Sequence, residues 1–414
     1  MGSGETHCVV GIDVAKQSHV VCALEAPGGA IRLKPSLIEA SVDGYARLQE
    51  WLESWGEPVA TVIGMEATGT LWEPLYDTLT QAGYQVLLLN PRQTASWATS
   101  LGLRAKTDGI DAHTLARGLL AGLARPSTLP SETVQSLRAL TRARRDVVQT
   151  RAAARQRLHD ELVVLFPAFV LLLRQLPGEA DLGAPAALHL LEAYPSAAAL
   201  ARAPDAAVLL VAQQASNGRW GEAEVAVLQQ AARRSAASSR AVAARSLVVR
   251  TFVGQVLHLH TQIAELEVAM QEVLRDDADS RRLQGIPGIG PQGAATIRAE
   301  LGDVLRFSRV DAVVAYAGLD PRTCQSGAFV GQKHLSKRGP GALRHALYLA
   351  ALVAARCAPE WRVRYHRLLE RARSKKEALT ILSRGVLRVI YHLLVTGEAY
   401  DPARLKPLPA PAGA

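Results

Sequence analysis

Two β-branched runs near the N-terminus, VVGID at 9–13 and TVIGME at 61–66, each end on an acidic residue, Asp13 and Glu66. Runs this apolar suit strands covered on both faces, and a carboxylate ending one is costly unless it is paired or ligates a cation. The chain must therefore build a sheet around two acids at strand ends. The surrounding pattern agrees. HCVVGIDV reads as a strand, and HVVCALEAPGGAIRLK as a hairpin turning at Pro27-Gly28-Gly29. A helix over 41–55 opens on Ser41 or Asp43. PVATVIGMEA is a strand, TLWEPLYDTLTQAGY a helix ended by Gly83, and YQVLLLN another strand. Two helical patterns follow, at about 91–99 and 108–123. The order βββαβαβα, with three contiguous strands first, belongs to α/β architecture.

A second acidic pair, Asp108 and Asp111 in KTDGIDA, stands where a helix should begin, and its i,i+3 spacing puts both side chains on one face. Clustered carboxylates suit hard divalent cations, Mg²⁺ or Mn²⁺, whose charge can be focused on one phosphate. In this order and on these elements, Asp13, Glu66, Asp108 and Asp111 would serve a metal-dependent nuclease on an RNase H-like fold. Each has a plainer alternative. Lys16 could pair with Asp13, Glu66 could cap the helix that follows it, and Asp108 with Asp111 resembles a capping pair.

From about residue 130 the pattern changes to long helices. One starts at Ser131 with an incomplete capping box, since Val134 stands where Glu would complete it. A later helix repeats Phe252, Val256, Leu259, Ile263, Leu266, Met270 and Val273 at alternating spacings of four and three, the a/d seam of a coiled coil. Pairing between copies and packing within one chain both produce that spacing. Residues 175–245 are Ala-rich, broken by Pro185, Pro195 and Pro204, and read as a helical insertion. The expected division is 1–128 for the acidic α/β domain, 129–279 for the helical region with its insertion, and 280–414 for a mostly α C-terminal domain.

Charge follows that division. Residues 1–128 carry 9 Lys/Arg against 13 Asp/Glu, and residues 281–414 carry 22 against 9. A metal-holding half and a phosphate-gripping half would be charged in this way; a solvated basic surface is the plainer account. Cys8, Cys22, Cys324 and Cys357 show no metal or disulfide spacing and read as reduced thiols. No signal core opens the chain, and the longest apolar stretch, 162–173, contains Pro167 and is too short to span a bilayer. A cytoplasmic protein with no membrane partner, nucleoid-associated when acting, is expected.

The C-terminal segment begins LQGIPGIGPQGAATIRAELGDV, the pattern of two helices joined by a glycine-rich hairpin. Gly288 and Gly290 would let backbone N–H groups approach phosphates; a plain turn between packed helices is the alternative. Arg104 and Lys106, just before the aspartate pair, and Lys333, Lys337, Arg338 and Arg344 suit phosphate contacts. So do Arg362, Arg373, Lys375 and Lys376, with Trp361 and Tyr365 interleaved nearby. Two serines stand among them, Ser326 in RTCQSG and Ser336 in LSKRG, and either could be a turn serine or a nucleophile.

GIDVAK, EATGT with WEPL and AGY, NPRQ, LRAKTDGIDA, LQGIPGIG, YAGLDPR, QSG and LSKRGPGALRHALY together resemble the DEDD transposases of bacterial insertion sequences, the insertion-sequence family "one-ten" that includes Piv-type DNA invertases. The resemblance covers roughly 250 residues with the motifs in order; the 175–245 insertion is its least covered part. It implies a RuvC-like domain carrying Asp13, Glu66, Asp108 and Asp111, and a C-terminal transposase domain whose serine nucleophile is Ser326. It also implies DNA as donor and target, a bridge-type guide RNA, a Holliday-junction intermediate, and a homo-oligomer, dimer or tetramer, through the coiled coil. Two other functions fit the same residues: a structure-specific junction endonuclease using the tetrad and water, and a non-catalytic DNA-binding derivative of a transposase.

Overall fold

In the computed structural model the described residues are 6–67, 69–100, 107–125, 127, 129–173, 175–176, 181–322, 325–326, 329–330, 334–371 and 373–405. By its contacts the chain divides into two compact units, Met1–Leu129 and Pro130–Ala414.

The first unit is a five-stranded mixed sheet with helices on both faces. Its elements run β1 (Cys8–Val14), β2 (Ser18–Glu25), β3 (Ile31–Glu39), α1 (Val42–Trp55), β4 (Thr61–Glu66), α2 (Glu73–Gln81), β5 (Gln85–Leu89), α3 (Pro91–Ser100) and α4 (Asp108–Leu120). The sheet order is β3-β2-β1-β4-β5, with β1 antiparallel to β2 and parallel to β4. Ser41 caps α1 by accepting from the Gly44 N–H at 3.1 Å. Successive side chains of a strand face opposite ways. Cys8, Val10, Ile12 and Val14 of β1 enter one core with Leu48 and Leu52 of α1 and Leu75 and Leu79 of α2. Val9 enters another, with Leu115, Ala116 and Leu119 of α4 and Trp97 of α3.

That second face carries glycines where α4 crosses it. Gly11 of β1 and Gly64 of β4 are register partners. A Cβ on Gly11 would lie 2.2 Å from the Ala112 carbonyl oxygen and 2.5 Å from the Ala116 nitrogen; one on Gly64 would meet Leu119 at 2.8 Å. The helix backbone thus rests directly on β1, closer than any side chain would allow.

The second unit is mostly helical. The α5 helix (Glu132–Leu165) is followed by α6 (Pro167–Leu173), α7 (Pro185–Ala193), α8 (Ala197–Arg202), α9 (Asp205–Ser216), α10 (Glu222–Arg233) and the long α11 (Val242–Arg275). Ser131 caps α5 by accepting from the Val134 N–H at 3.4 Å. Ion pairs Arg144–Glu267 at 2.6 Å and Arg245–Glu161 at 2.8 Å show that α5 and α11 run antiparallel. Both pairs are partly exposed, so they mark the register more than they stabilise it. Val256, Leu259, Ile263 and Met270 of the heptad seam are buried within the chain, and Phe252, Leu266 and Val273 are half-buried. In the chain by itself the seam is occupied by an intramolecular partner. The Ala-rich stretch packs into the same core as α5, α6 and α11, with Trp220 fully buried in it.

The rest comprises α12 (Ala278–Gln284), α13 (Pro291–Leu301), α14 (Val310–Tyr316), the short strands β6 (Pro321–Arg322), β7 (Gln325–Ser326), β8 (Phe329–Val330) and β9 (His334–Leu335), then α15 (Gly341–Cys357), α16 (Pro359–Glu370) and α17 (Lys375–Thr396). The four strands were not anticipated from the sequence. Among the described residues, α17 is long and apolar enough to cross a membrane by length and composition, but half of its apolar window is buried inside the protein. Ala378, Leu382, Val386, Leu387 and Ile390 place it in the C-terminal core.

The α4 contact makes a paired prediction. Gly11→Ala forces a methyl into helix backbone and should lower stability by about 1–3 kcal/mol. Gly28→Ala meets nothing within 4 Å and should stay within about 0.5 kcal/mol of the parent. Calorimetry of the full chain checks both, and equal melting curves for the two variants would contradict the close-contact account.

Candidate active site

Asp13 and Glu66 lie at the same end of two neighbouring parallel strands. Asp13 is the next residue after the last β1–β4 pair, Ile12 with Met65, and Glu66 follows Met65 directly. By alternation Asp13 faces as Gly11 does and Glu66 as Gly64 does, so both carboxylates are on the α4 side of the sheet. Both are half-buried. The end of β4 is tied to β5 by the Ala67 N–H donating to the Leu89 carbonyl at 2.9 Å. The Glu66 carboxylate accepts the Thr94 hydroxyl at 2.7 Å.

The third and fourth acids come from the start of α4. Its N-cap is Thr107, whose hydroxyl accepts from the Ile110 N–H at 3.3 Å. Asp108 and Asp111 are therefore inside the helix and are not its cap, although their charge still favours the first turn. Glu66 likewise does not cap α2, whose N-cap residue is Trp72. Asp111 is half-buried and directly precedes Ala112, the residue pressed on Gly11; Asp108 is exposed. The four acids thus share one face of the sheet or the start of the helix laid across it.

Their donor chemistry, all carboxylate oxygen, fits a hard divalent cation such as Mg²⁺. Among the described residues, however, no group of three or more His, Cys, Asp or Glu side chains is gathered closely enough to hold a metal ion. The structure supplies a common face and end, without a formed cage. Neighbouring His19 is buried; its Nδ1 accepts from the Ala15 N–H at 3.3 Å and its Nε2 lies 3.2 Å from the Tyr45 hydroxyl. Burial lowers its pKa and so favours the neutral ring beside the β1–β2 turn.

Thr94 is the site residue that sequence reading missed. It stands 28 residues from Glu66, and no local motif announces the contact. Only the β5–α3 connection, NPRQT, brings it there.

In the second unit, Ser326 is in β7, paired with Phe329 of β8; the side chains of 322–334 lie outside the described residues. So do Arg104, Lys106 and Lys333. The segments flanking 321–335 are pinned together. Ser336 donates its hydroxyl to Asp320, the Ser336 N–H donates to the Asp320 carbonyl at 3.0 Å, and the Lys337 N–H donates to the Gly318 carbonyl at 3.1 Å. Gly318 has φ +68°, and a Cβ there would lie 2.7 Å from the Arg338 nitrogen, so these backbones also cross at van der Waals range.

The predicted phosphate contacts divide into two groups. Gly288, with φ +88°, packs its Cα against α15, where a Cβ would lie 2.3 Å from the Ala350 carbonyl oxygen; Gly290 is exposed, with nothing within 4 Å of the corresponding point. Arg344 donates to the carbonyls of Gly339 at 2.6 Å and Ala317 at 3.2 Å, so its guanidinium is engaged in holding the fold. Lys337, Arg338, Arg362, Arg373, Lys375 and Lys376 are exposed.

Two family models match the chain. One, described as a transposase, covers residues 10–167, and the other, described as the transposase IS116/IS110/IS902 family, covers 280–366. Together they span more than half of the sequence. Over 409 residues the chain is 29% identical to the mini-circle putative transposase for IS117 of Streptomyces coelicolor, covering 95% of each. It is 24% identical to the IS116 uncharacterized 44.8 kDa protein of Streptomyces clavuligerus, over 95% of this chain and 96% of that one. It is 22% identical to the pilin gene-inverting protein of Moraxella bovis, over 95% of this chain and 97% of that one. The matched segments contain both the acidic face and the strand bearing Ser326, and the chain belongs to the IS116/IS110/IS902 family of transposases.

Proposed function

We propose that the chain cuts and rejoins DNA strands with Asp13, Glu66, Asp108 and Asp111 as ligands of divalent cations, Mg²⁺ or Mn²⁺, and with Ser326 as nucleophile. The observation that carries this reading is the placement of Asp13, Glu66 and the Asp111 end of α4 on one face, held there by the glycine contacts of α4 with β1 and β4. Bound cations would neutralise phosphate charge and make phosphorus more electrophilic.

The serine step conserves the bond that it breaks. The Ser326 oxygen forms a bond to phosphorus, the bond from phosphorus to one deoxyribose oxygen breaks, and the serine proton ends on that leaving oxygen. A phosphoserine holds the strand end until a deoxyribose hydroxyl attacks and regenerates serine, so rejoining needs no outside energy source.

Exposed cations support a nucleic-acid backbone as partner, both donor and target DNA and the guide RNA that the family resemblance implies. Arg373, Lys375 and Lys376 gather at the start of α17, where the helix dipole disfavours positive charge. A bound phosphate would offset that repulsion. Assembly of copies through the α5–α11 pair would have to use its outer surface, where Val163, Leu247 and Val268 are exposed, because the inner seam is already packed.

Two substitutions test the reading on the family's DNA substrate. Asp108→Asn should leave the melting temperature nearly unchanged, since Thr107 supplies the cap, yet reduce metal-dependent cleavage by more than the roughly 100-fold that losing an outer partner of a ligand costs. Retained cleavage would remove Asp108 from the metal site. Ser326→Ala should abolish the covalent protein–DNA adduct seen after denaturation; an adduct that persists would reject Ser326, and cleavage without any adduct would make water the nucleophile.

A further inference from the structure

Thr94 is 5% exposed and sits in the first turn of α3, where its N–H donates to the Asn90 carbonyl at 3.2 Å. The Glu66 carboxylate and the Thr94 hydroxyl therefore ride on one backbone joint, the β4 end bonded to β5 and the helix that β5 leads into. The hydroxyl oxygen is 2.7 Å from Glu66 Oε2 and 3.0 Å from the Pro91 carbonyl oxygen. An ionised carboxylate can only accept, so threonine is the donor, and its single proton favours the nearer, charged acceptor. The contacts with Glu66 and with the Pro91 carbonyl aim the donor before any cation arrives.

We propose that Thr94 is a positioning residue: its hydroxyl holds the Glu66 carboxylate in the orientation that binds a divalent cation, and so sets the affinity of the chain for metal. The inference rests on the reading of Glu66 as a metal ligand. Outer partners of ligating groups commonly carry about 10- to 100-fold in affinity. Serine keeps the donor, whereas valine keeps the shape and removes the donor.

The test is Mn²⁺ binding to the full-length protein, followed by the loss of the free-ion paramagnetic resonance signal and needing no DNA and no turnover. Thr94→Val should weaken Mn²⁺ binding by about 10-fold or more, with the metal-free melting temperature close to that of the parent. Thr94→Ser should bind nearly as the parent does. Should valine not be accommodated, Thr94→Ala removes the same donor without adding atoms and carries the same expectation. Parental binding by the variant lacking the donor, or equal weakening in Thr94→Ser, would overturn the proposal. Glu66→Gln separates the two levels: if it binds Mn²⁺ as the parent does, Glu66 is no ligand and the reading beneath the proposal fails; if it weakens binding while Thr94→Val does not, only the role of Thr94 fails.

Discussion

Backbone laid on backbone organises the acidic half of this protein. Ala112 and Ala116 of α4 approach Gly11 of β1 more closely than any side chain permits, and Leu119 fills the space over Gly64. Because strand side chains alternate, the residues two positions on, Asp13 and Glu66, face the same helix. The first turn of that helix carries Asp108 and Asp111. Two missing side chains thus bring acids from three sequence regions to one face. Glycine there costs backbone entropy, and the close helix–sheet packing it permits compensates.

The C-terminal half shows how readily a polar or flexible residue near a functional segment is consumed by the fold. Gly288 serves α15, and Arg344 holds the carbonyl of Gly339, just before α15, and that of Ala317, at the end of α14. Arg384, on α17, donates to the Leu319 carbonyl at 2.6 Å, and burial lowers its pKa. Ser336 is bound to Asp320. These contacts fix the two ends of the segment that bears Ser326. Of the cations expected to meet phosphate, Lys337, Arg338, Arg373, Lys375 and Lys376 stay exposed, and Arg362, also exposed, donates to the Arg356 carbonyl.

The legible parts of the sequence were those in which a local pattern has one cheap solution. Continuous β-branched, apolar runs marked the strands of the sheet, and Ser41 and Ser131 opened their helices as their chemistry requires. Asp13 and Glu66 at strand ends, and Asp108 and Asp111 at a helix start, followed from the same patterns. What could not be read depended on neighbours distant in the chain. A cap by Thr107 and a cap by Asp108 differ by one residue, and both side chains are competent. A seam of α11 looks the same whether its partner is another copy or α5. The phosphate-ready appearance of Gly288 and Arg344 is local, and the groups that claim them, Ala350 in one case and Ala317 in the other, are not. Thr94 reaches Glu66 through strand order, which no spacing motif encodes.

Whether the start of α4 and the ends of β1 and β4 form one cation site can be read from the anomalous signal of Mn²⁺ in crystals of the full-length protein. A manganese peak is expected on the α4 side of the sheet, with carboxylate oxygens of Asp13 and of Glu66 or Asp111 at about 2.0–2.3 Å, the range of oxygen ligands to such cations. Manganese bound elsewhere, with these acids untouched at saturating metal, would contradict it.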